Sequence, residues 1–395
     1  MEVNREKGTL IIGGGMIGLA IGWKLLEAGE PVTLLEQRET GRESSWAAAG
    51  MLAPVGEVHF QEEAHLQLGR ESMALYPAFI KALESYTGHD VGYRTEGSLG
   101  IALDADETAE LRHLFEFQRE LKLPVTWLSG DEVQRMEPAL SHNVVAGVFS
   151  EADHSVDNRK LAGALKAAFI KAGGSLHEHT PAGEVVLQDD GPPVVRSGVQ
   201  KGGHSSDGEK TEPVPTEWHR ERVILCAGAW SGLIPGLEGA LRPLVRPVKG
   251  QMLAIGIPTD MVNYTLRTPD VYMVPRKDGR LLVGATVEEM GFNREQTVGG
   301  LYELLRGAWR ALPGVYERPV LETWVGFRPG SRDNAPLLGE TDVPGLYLAT
   351  GHYRNGILNT PVTAAFISDL ILGKTVPEFL STFSPRRFIS GKEGG

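Results

Sequence analysis

The chain predicts an α/β fold in which a Rossmann-like domain is interleaved with a second, antiparallel-sheet α+β domain. Three observations predict it. A G-x-G-x-x-G run, Gly13 to Gly18, lies between a short apolar strand pattern and an apolar helix pattern. A further helix–strand succession returns only after residue 158, far along the chain. Between them and the C-terminus, residues 251–289 hold apolar, β-branched runs separated by Pro, Asp-Gly and Gly, as in an antiparallel sheet.

Taken in order, Thr9–Ile12 is expected as a buried strand, Gly13–Gly18 as a turn, Leu19–Ala28 as a helix and Val32–Glu36 as a second strand, which together make one βαβ unit. The stretch Thr9–Leu26 imitates a signal or membrane segment, but Lys24 and five glycines interrupt it. Glu2, Arg5, Glu6 and Lys7 ahead of it cancel in charge instead of forming a positive leader. Asn158–Gly174 has helical spacing, with Leu161, Leu165, Phe169 and Ile170 on one face and Gly173-Gly174 as a stop. Strands are expected at Ser175–His179, Glu184–Leu187 and Val223–Ala227. Gln188–Glu217, rich in Gly, Pro, Ser and charge, reads as a surface excursion. In the later sheet Lys277-Asp278-Gly279 is the clearest hairpin turn. Thr360–Leu372 reads as a C-terminal amphipathic helix with Pro361 in its first turn. No internal repeat is visible. This order divides the chain into a Rossmann-like domain of residues 1–56, 140–240 and 324–395 and a second domain of residues 57–139 and 241–323.

The 395 residues are 41% apolar, enough to bury more than one core. A net charge of -12 makes the summed field repel phosphate backbones and anionic membranes, so neither nucleic acid nor membrane is expected as a partner. One cysteine excludes an internal disulfide and fits a reducing compartment, with the cytoplasm expected. The eleven histidines show no metal-ligand spacing, and no metal is expected. A homo-oligomer is compatible with this composition.

The glycine run carries the first chemistry. Gly13 permits the tight turn, Gly15 lets the backbone approach a pyrophosphate and Gly18 lets the helix pack on the strand, while Met16 and Ile17 open the helix whose free N–H groups face the phosphates. Glu36 ends the second strand, where a carboxylate can accept from both ribose hydroxyls and repels a 2′-phosphate. These residues together point to an adenine dinucleotide other than NADP. Gln37 and Arg38 follow. Ser44 and Ser45 can donate to phosphate, and the small run through Ala49, Gly50 and Met51 can lie close to a flat ligand or enter a helix as an ordinary loop.

With these residues in view the chain resembles the D-amino-acid oxidase superfamily of FAD enzymes, most closely its glycine oxidase branch. The resemblance is carried by Ile11–Glu36, Ser44–Leu52, Ser155–Gly163, Val223–Ser231, Arg246–Met252, Val271–Thr286 and Trp324–Leu370. Its most telling part is Gly326-Phe327-Arg328-Pro329-Gly330 followed by Gly351-His352-Tyr353-Arg354-Asn355-Gly356-Ile357-Leu358. The resemblance implies bound FAD and oxidation of a small amino acid or amine, with O2 as acceptor. It implies that Arg328 grips the substrate carboxylate and that Tyr272 contacts the substrate. It places Val185 at the adenine through its backbone, and Gly228 and Trp230 at a turn beside the cofactor. The backbone of Arg354, Asn355, Gly356, Ile357 and Leu358, with the helix that follows, would supply positive potential to the flavin. Arg354 is either a second electrostatic contributor or a structural arginine tying down the loop. Related sarcosine oxidases tether FAD through a cysteine, whereas Cys226 lies in an apolar strand, which implies non-covalent FAD. The chain departs from the pattern at Val287, where the branch has methionine, and in the length of the 188–217 excursion.

Three other readings share these residues. One is a dehydrogenase passing electrons to a quinone or another acceptor, one a flavin-binding subunit without a substrate of its own, and one an NAD-dependent dehydrogenase.

Overall fold

The computed structural model describes residues 6–58, 63–189, 191–198, 216–237 and 245–388. The chain forms two compact units. The first comprises Met1–Trp46, Ala162–Pro247 and Arg328–Gly395; the second comprises Ala47–Leu161 and Val248–Phe327.

The first unit is built on an eight-stranded sheet whose continuous path runs Leu337–Glu340, Leu346–Thr350, Thr216–Leu225, Glu6–Ile12, Val32–Leu35, Ser175–His177. The four central strands of that path pair parallel. Leu10, Ile11, Ile224 and Leu225 are fully buried, the run of apolar residues that a sheet covered on both faces demands. Helix Met16–Glu27 is buried on most of its circumference and packs against helix Thr360–Ile371, itself started by Pro361. Gly22 makes one close approach possible: a Cβ there would lie 2.6 Å from the Phe169 ring.

The excursion after Gln188 is partly structured. Val194–Ser197 is a strand, paired antiparallel with Ala182–Val186 on one side and with the start of Thr216–Leu225 on the other. Val194 and Val195 are buried within it. The reading missed this because two valines are too short a run to show a period. The ten-residue strand Thr216–Leu225 therefore serves twice, antiparallel at its beginning and parallel at its end. Residues 199–215, the rest of the expected excursion, lie outside the described residues.

The second unit holds another eight-stranded sheet, in the order Val320–Gly330, Arg246–Gly256, Arg280–Gly284, Tyr272–Pro275, Thr265–Arg267, Ser98–Ala102, Ala146–Ser150, Val125–Ser129. The expected antiparallel run from 251 to 289 is present. Its hairpin turns at Arg276–Gly279, where Gly279 takes φ +84° and Arg276 N–H donates to Arg280 O. Thr265–Arg267 joins Ser98–Ala102 by a parallel pairing. Helices Glu63–Thr87, Ala105–Glu120 and Val298–Ala311 belong to this unit and carried no assignment from the sequence.

The sequence-based boundaries at 56/57, 139/140, 240/241 and 323/324 differ from the contact boundaries. Residues 140–161 fall in the second unit because Ala146–Ser150 is an interior strand of its sheet, between Ser98–Ala102 and Val125–Ser129. Residues 47–56 go with them because Met51–Leu52 pairs with His154–Ser155.

The Gly22–Phe169 contact gives a test of packing. Gly22→Val should lower stability by roughly 1–3 kcal/mol through overpacking, read as a drop in the thermal midpoint.

Candidate active site

The glycine turn of the first unit has the geometry its residue types foreshadow. Gly13 N–H donates to Leu35 O at 2.8 Å, and Gly13 adopts φ +111° with the Cys226 carbonyl only 2.5 Å from where a Cβ would stand. A Cβ on Gly18 would lie 2.1 Å from the Gly13 carbonyl. Both positions are closed to any side chain. Helix Met16–Glu27 starts at Gly15 with no side-chain cap from that residue and no acid in its first turn. At that helix start an oxygen acceptor is already accommodated, since Met16 N–H donates to Ser45 Oγ at 2.9 Å.

Glu36 is 8% exposed, and its two oxygens accept from Gly14 N–H at 2.8 Å and from Arg38 N–H at 2.9 Å. Burial raises its pKa, with the two N–H bonds opposing and Glu43 and Glu178 adding to the rise. A carboxylate offers about four lone-pair sites, so two remain for the hydroxyls of a ribose. The residues therefore fit an adenine dinucleotide: a phosphate-ready helix start, a backbone open to close approach, and a carboxylate at the ribose end.

Beside Glu36 runs the end of the expected strand at Ser175–His179. Glu36 N–H donates to His177 O, and Thr180 N–H donates to Glu36 O, so segment 177–180 runs along the carboxylate's backbone. Val185, five residues on, is buried within the sheet, and its N–H donates to Pro235 O at 2.8 Å. Its backbone donor is thus engaged inside the unit. Glu178, which tied no expectation, accepts from Thr40 N–H and from Lys166, both at 2.7 Å, and these bonds outweigh burial and hold its pKa at about 2.

Gly228 opens the turn Gly228–Leu233 with φ +53° and nothing within 4 Å of a Cβ. The turn is fixed from below, where Ser231 Oγ bonds Thr350 Oγ1 at 2.7 Å and Thr350 Oγ1 donates to Gly228 O at 3.2 Å. Trp230 is half-buried there. Cys226 is buried, and burial pushes its thiol pKa well up.

The two C-terminal segments meet. Gly330 and His352 form an antiparallel bridge, and Tyr353 N–H donates to Pro329 O at 2.9 Å. Tyr353 takes φ +49° and Asn355 N–H donates to His352 O at 2.9 Å, so the chain turns directly after the bridge, with Arg354 in that turn and Arg328 near the end of strand Val320–Gly330. Arg328, Arg354, Asn355 and Gly356 are half-buried, while Ile357 and Leu358 are buried. Asn359 caps helix Thr360–Ile371 without a side-chain bond, and no acid lies in its first turn. Beneath the loop His352 is 3% exposed, with Nε2 3.0 Å from Thr363 Oγ1.

Tyr272, Ala49, Gly50 and Met51 belong to the second unit. Tyr272 is half-buried, its hydroxyl 3.8 Å from Met252 Sδ and its ring on Gly284, where a Cβ would lie 2.5 Å away. The run of small residues is pinned from behind. Gly50 takes φ +67° with the Val156 carbonyl 2.0 Å from a Cβ, Trp324 Nε1 donates to Ala47 O at 3.0 Å, and Arg276 Nη2 donates to Ala49 O at 2.6 Å. Arg276 is 4% exposed, and burial lowers its pKa to about 10 against the pull of Asp157. The sequence signal for this anchor was present in Tyr272-Met273-Val274-Pro275-Arg276, but a buried partner for an arginine is not visible in one dimension. Among the described residues no cluster of His, Cys, Asp and Glu could hold a metal, and no helix is long and apolar enough to cross a membrane.

Burial pulls His352 down to about 3 from its usual 6.5. Its folded pKa is the lower one, so its contribution to stability is whole above 6.5 and is lost as the pH falls toward 3. His352→Gln should flatten thermal stability over that interval by up to ~1.4 kcal/mol per pH unit, the slope of one proton. A pH series of unfolding midpoints that leaves the slope unchanged would contradict this.

Comparison with known proteins agrees with this geometry. Residues 9–370 match the DAO family, described as FAD dependent oxidoreductase. The chain is 34% identical to the glycine oxidase of Geobacillus kaustophilus over 388 residues, 97% of each chain. It is 36% identical over 384 residues to the bifunctional protein ThiO/ThiG of Trichormus variabilis, covering 96% of this chain but 55% of that protein. The chain thus spans about half the length of such bifunctional relatives. The crystal structure of the Geobacillus kaustophilus glycine oxidase superposes with a TM-score of 0.86 at 31% identity, covering 98% of this chain and 100% of that one. The resemblance drawn from the sequence, its fold class and its FAD requirement hold. The chain belongs to the DAO family of FAD-dependent oxidoreductases.

Proposed function

We propose that this chain oxidises glycine or a related small amino acid or secondary amine, with O2 as the electron acceptor. The observation that carries the reading is the bridge between Gly330 and His352, which brings the strand end that carries Arg328 beside the turn that carries Arg354. Two guanidinium groups on segments joined by one bridge make a site for an acid, and the planar fork of one matches a carboxylate with two parallel hydrogen bonds. Arg328 fixes the substrate carboxylate and so presents the α-carbon in one orientation. Tyr272 adds a hydroxyl contact to the bound acid. Arg354 contributes positive potential, and the backbone of Asn355, Gly356, Ile357 and Leu358 directs N–H groups and a helix start at the same charge.

At the other end of the cofactor, Glu36 holds the ribose, with Gln37 and Arg38 following it. The turn from Gly13 to Gly18 holds the pyrophosphate together with Ser44 and Ser45. The family resemblance assigns Gly228, Trp230, Ala49, Gly50 and Met51 to the cofactor, and Val185 to its adenine end through its backbone. The buried thiol of Cys226 supports non-covalent attachment, because a thiol with a raised pKa is a poor nucleophile. Bound FAD supplies two-electron oxidation of the amine and is reoxidised by O2 with formation of H2O2. For glycine the balance is glycine plus O2 plus H2O giving glyoxylate, ammonia and H2O2. The fused ThiO/ThiG relatives support a place in thiamine (thiazole) synthesis, with the imine as the form passed on.

Three experiments test this reading. Under air the purified flavoprotein should release H2O2 with glycine, sarcosine or a small D-amino acid. Bleaching of the flavin without peroxide would assign a different acceptor, and no bleaching by any of them would end the proposal. Arg328→Ala should raise KM for carboxylate substrates roughly 10- to 100-fold through the lost charge-assisted pair, with Arg328→Lys between the two and FAD still bound. Glu36→Gln should weaken FAD binding about tenfold per lost hydrogen bond, measured by flavin fluorescence on dilution. An unchanged FAD affinity would remove Glu36 from the ribose.

A further inference from the structure

Strand Val320–Gly330 ends one side of the second unit's sheet, and its side chains separate into two sets. Thr323 and Phe327 face segment 292–296. Thr323 Oγ1 donates to Gln296 Oε1 at 2.7 Å, and the Phe327 ring stands 5.3 Å from that of Phe292. Glu322, Trp324 and Gly326 turn the other way. Arg159 binds Glu322 through both Nη atoms and carries its guanidinium 4.9 Å over the Trp324 ring. Trp324, 6% exposed, donates from Nε1 to Ala47 O at 3.0 Å, and at Gly326 a Cβ would stand 2.4 Å from the Ala47 Cβ. Alternation along a strand puts Arg328 on this same side.

Two successive positions of that side therefore close on Ala47, and the next one carries the guanidinium. Ala47 opens the run whose later members, Ala49, Gly50 and Met51, the family resemblance assigns to the cofactor. The run is held at two carbonyls, Ala47 O by Trp324 and Ala49 O by Arg276. Arg276 reaches it from the hairpin at Arg276–Gly279, far along the chain from Arg328. Trp324 reaches it from the strand of Arg328 itself. At about 3.3 Å per residue, Arg328 lies roughly 7 Å beyond Gly326 and roughly 13 Å beyond Trp324. The indole suits a fixed spacing. Its ring is held under Arg159, which the fork to Glu322 holds in turn. It offers one donor and no acceptor, and the Ala47 carbonyl ends helix Ser44–Ala47, where carbonyls lack intrahelical donors.

We propose that Trp324 is a positioning residue for amine oxidation. By holding Ala47 it sets the spacing between the small-residue run and the Arg328 guanidinium, and so where a bound α-carbon lies relative to the flavin. The inference rests on the function proposed above. Such a residue acts on rate more than on binding, because the carboxylate still finds Arg328 and FAD still finds its own residues. A misplacement of about 1 Å, by contrast, slows the chemical step about 100-fold.

The test is anaerobic stopped-flow reduction of the bound flavin by whichever of glycine, sarcosine and D-alanine reduces the wild type fastest. Trp324→Phe keeps a ring under Arg159 and removes the N–H. It should lower the limiting rate roughly 10- to 100-fold while FAD content holds and the Kd of the amine changes less than about threefold. In the same holoenzyme, amide hydrogen exchange across residues 47–51 should quicken about tenfold, as one lost hydrogen bond does. Gly326→Ala sets a methyl against Ala47 and should slow reduction in the same way. Adding Ala47→Gly, which removes the opposing methyl, should restore most of the rate. An unchanged rate or unchanged exchange in Trp324→Phe overturns the proposal. So does a double variant no faster than Gly326→Ala, the comparison that remains should Trp324→Phe fail to fold. A wild type that none of the three amines reduces ends the proposed function itself, and this inference with it.

Discussion

Glu36 is buried with both carboxylate oxygens bound to backbone N–H groups, one from the glycine turn and one from the residue two places on. The first unit is organised around that arrangement. Through Gly14 the carboxylate fixes the turn that begins helix Met16–Glu27, and through its own backbone it is tied to His177 and Thr180. Three stretches distant in sequence therefore converge on one acid. Burying that charge is unfavourable in itself, as its raised pKa records, and the bonds offset the loss only while all partners are in place. The acid that fixes the glycine turn is thus the same one that keeps lone pairs open for a further donor.

The second unit uses the same device twice. Asp153 is buried, accepts from Val55 N–H, Gly56 N–H and Ser98 Oγ, and is pushed up by burial to about 6 with Arg267 opposing. Arg276 donates to the Ala49 carbonyl and to Asn158. Both hold irregular chain, the small-residue run and the turn that follows it, which hydrophobic packing alone would leave loose. Loops of small residues have little surface to bury, so their positions are set by directional bonds from charged groups behind them.

The legible parts of the fold were those with strong local signals. The βαβ unit at the N-terminus could be read because Gly13, Gly15 and Gly18 are required by local sterics, and because a strand covered on both faces must be apolar throughout. The hairpin at Lys277-Asp278-Gly279 and the proline-started helix Thr360–Ile371 were legible for the same local reasons. Strand Val194–Ser197 was not, because it is short and its pairing with Glu184 and Trp218 neighbours is a tertiary fact. Helix Val298–Ala311 carried no assignment although its apolar residues share one side, because Gly299, Gly300 and Gly307 interrupt it as loop signals do. In the site, Arg328 and Arg354 were identified by resemblance, but that their segments meet came only from the Gly330–His352 bridge. Val185 was placed by motif alone; the structure shows it buried in the sheet with its N–H on Pro235, while segment 177–180 is bonded to Glu36.

The sheet of the first unit also constrains how the chain is made. Strand Glu6–Ile12 emerges first, but its partner Thr216–Leu225 comes some two hundred residues later, and the strand beyond that, Leu346–Thr350, later still. During synthesis the apolar N-terminal segment must wait for both, because parallel pairing over such separations closes long loops before any contact rewards it. A chain made only as far as residue 345 would leave Val223–Leu225 as a bare edge of that sheet, open to pairing with a neighbouring chain.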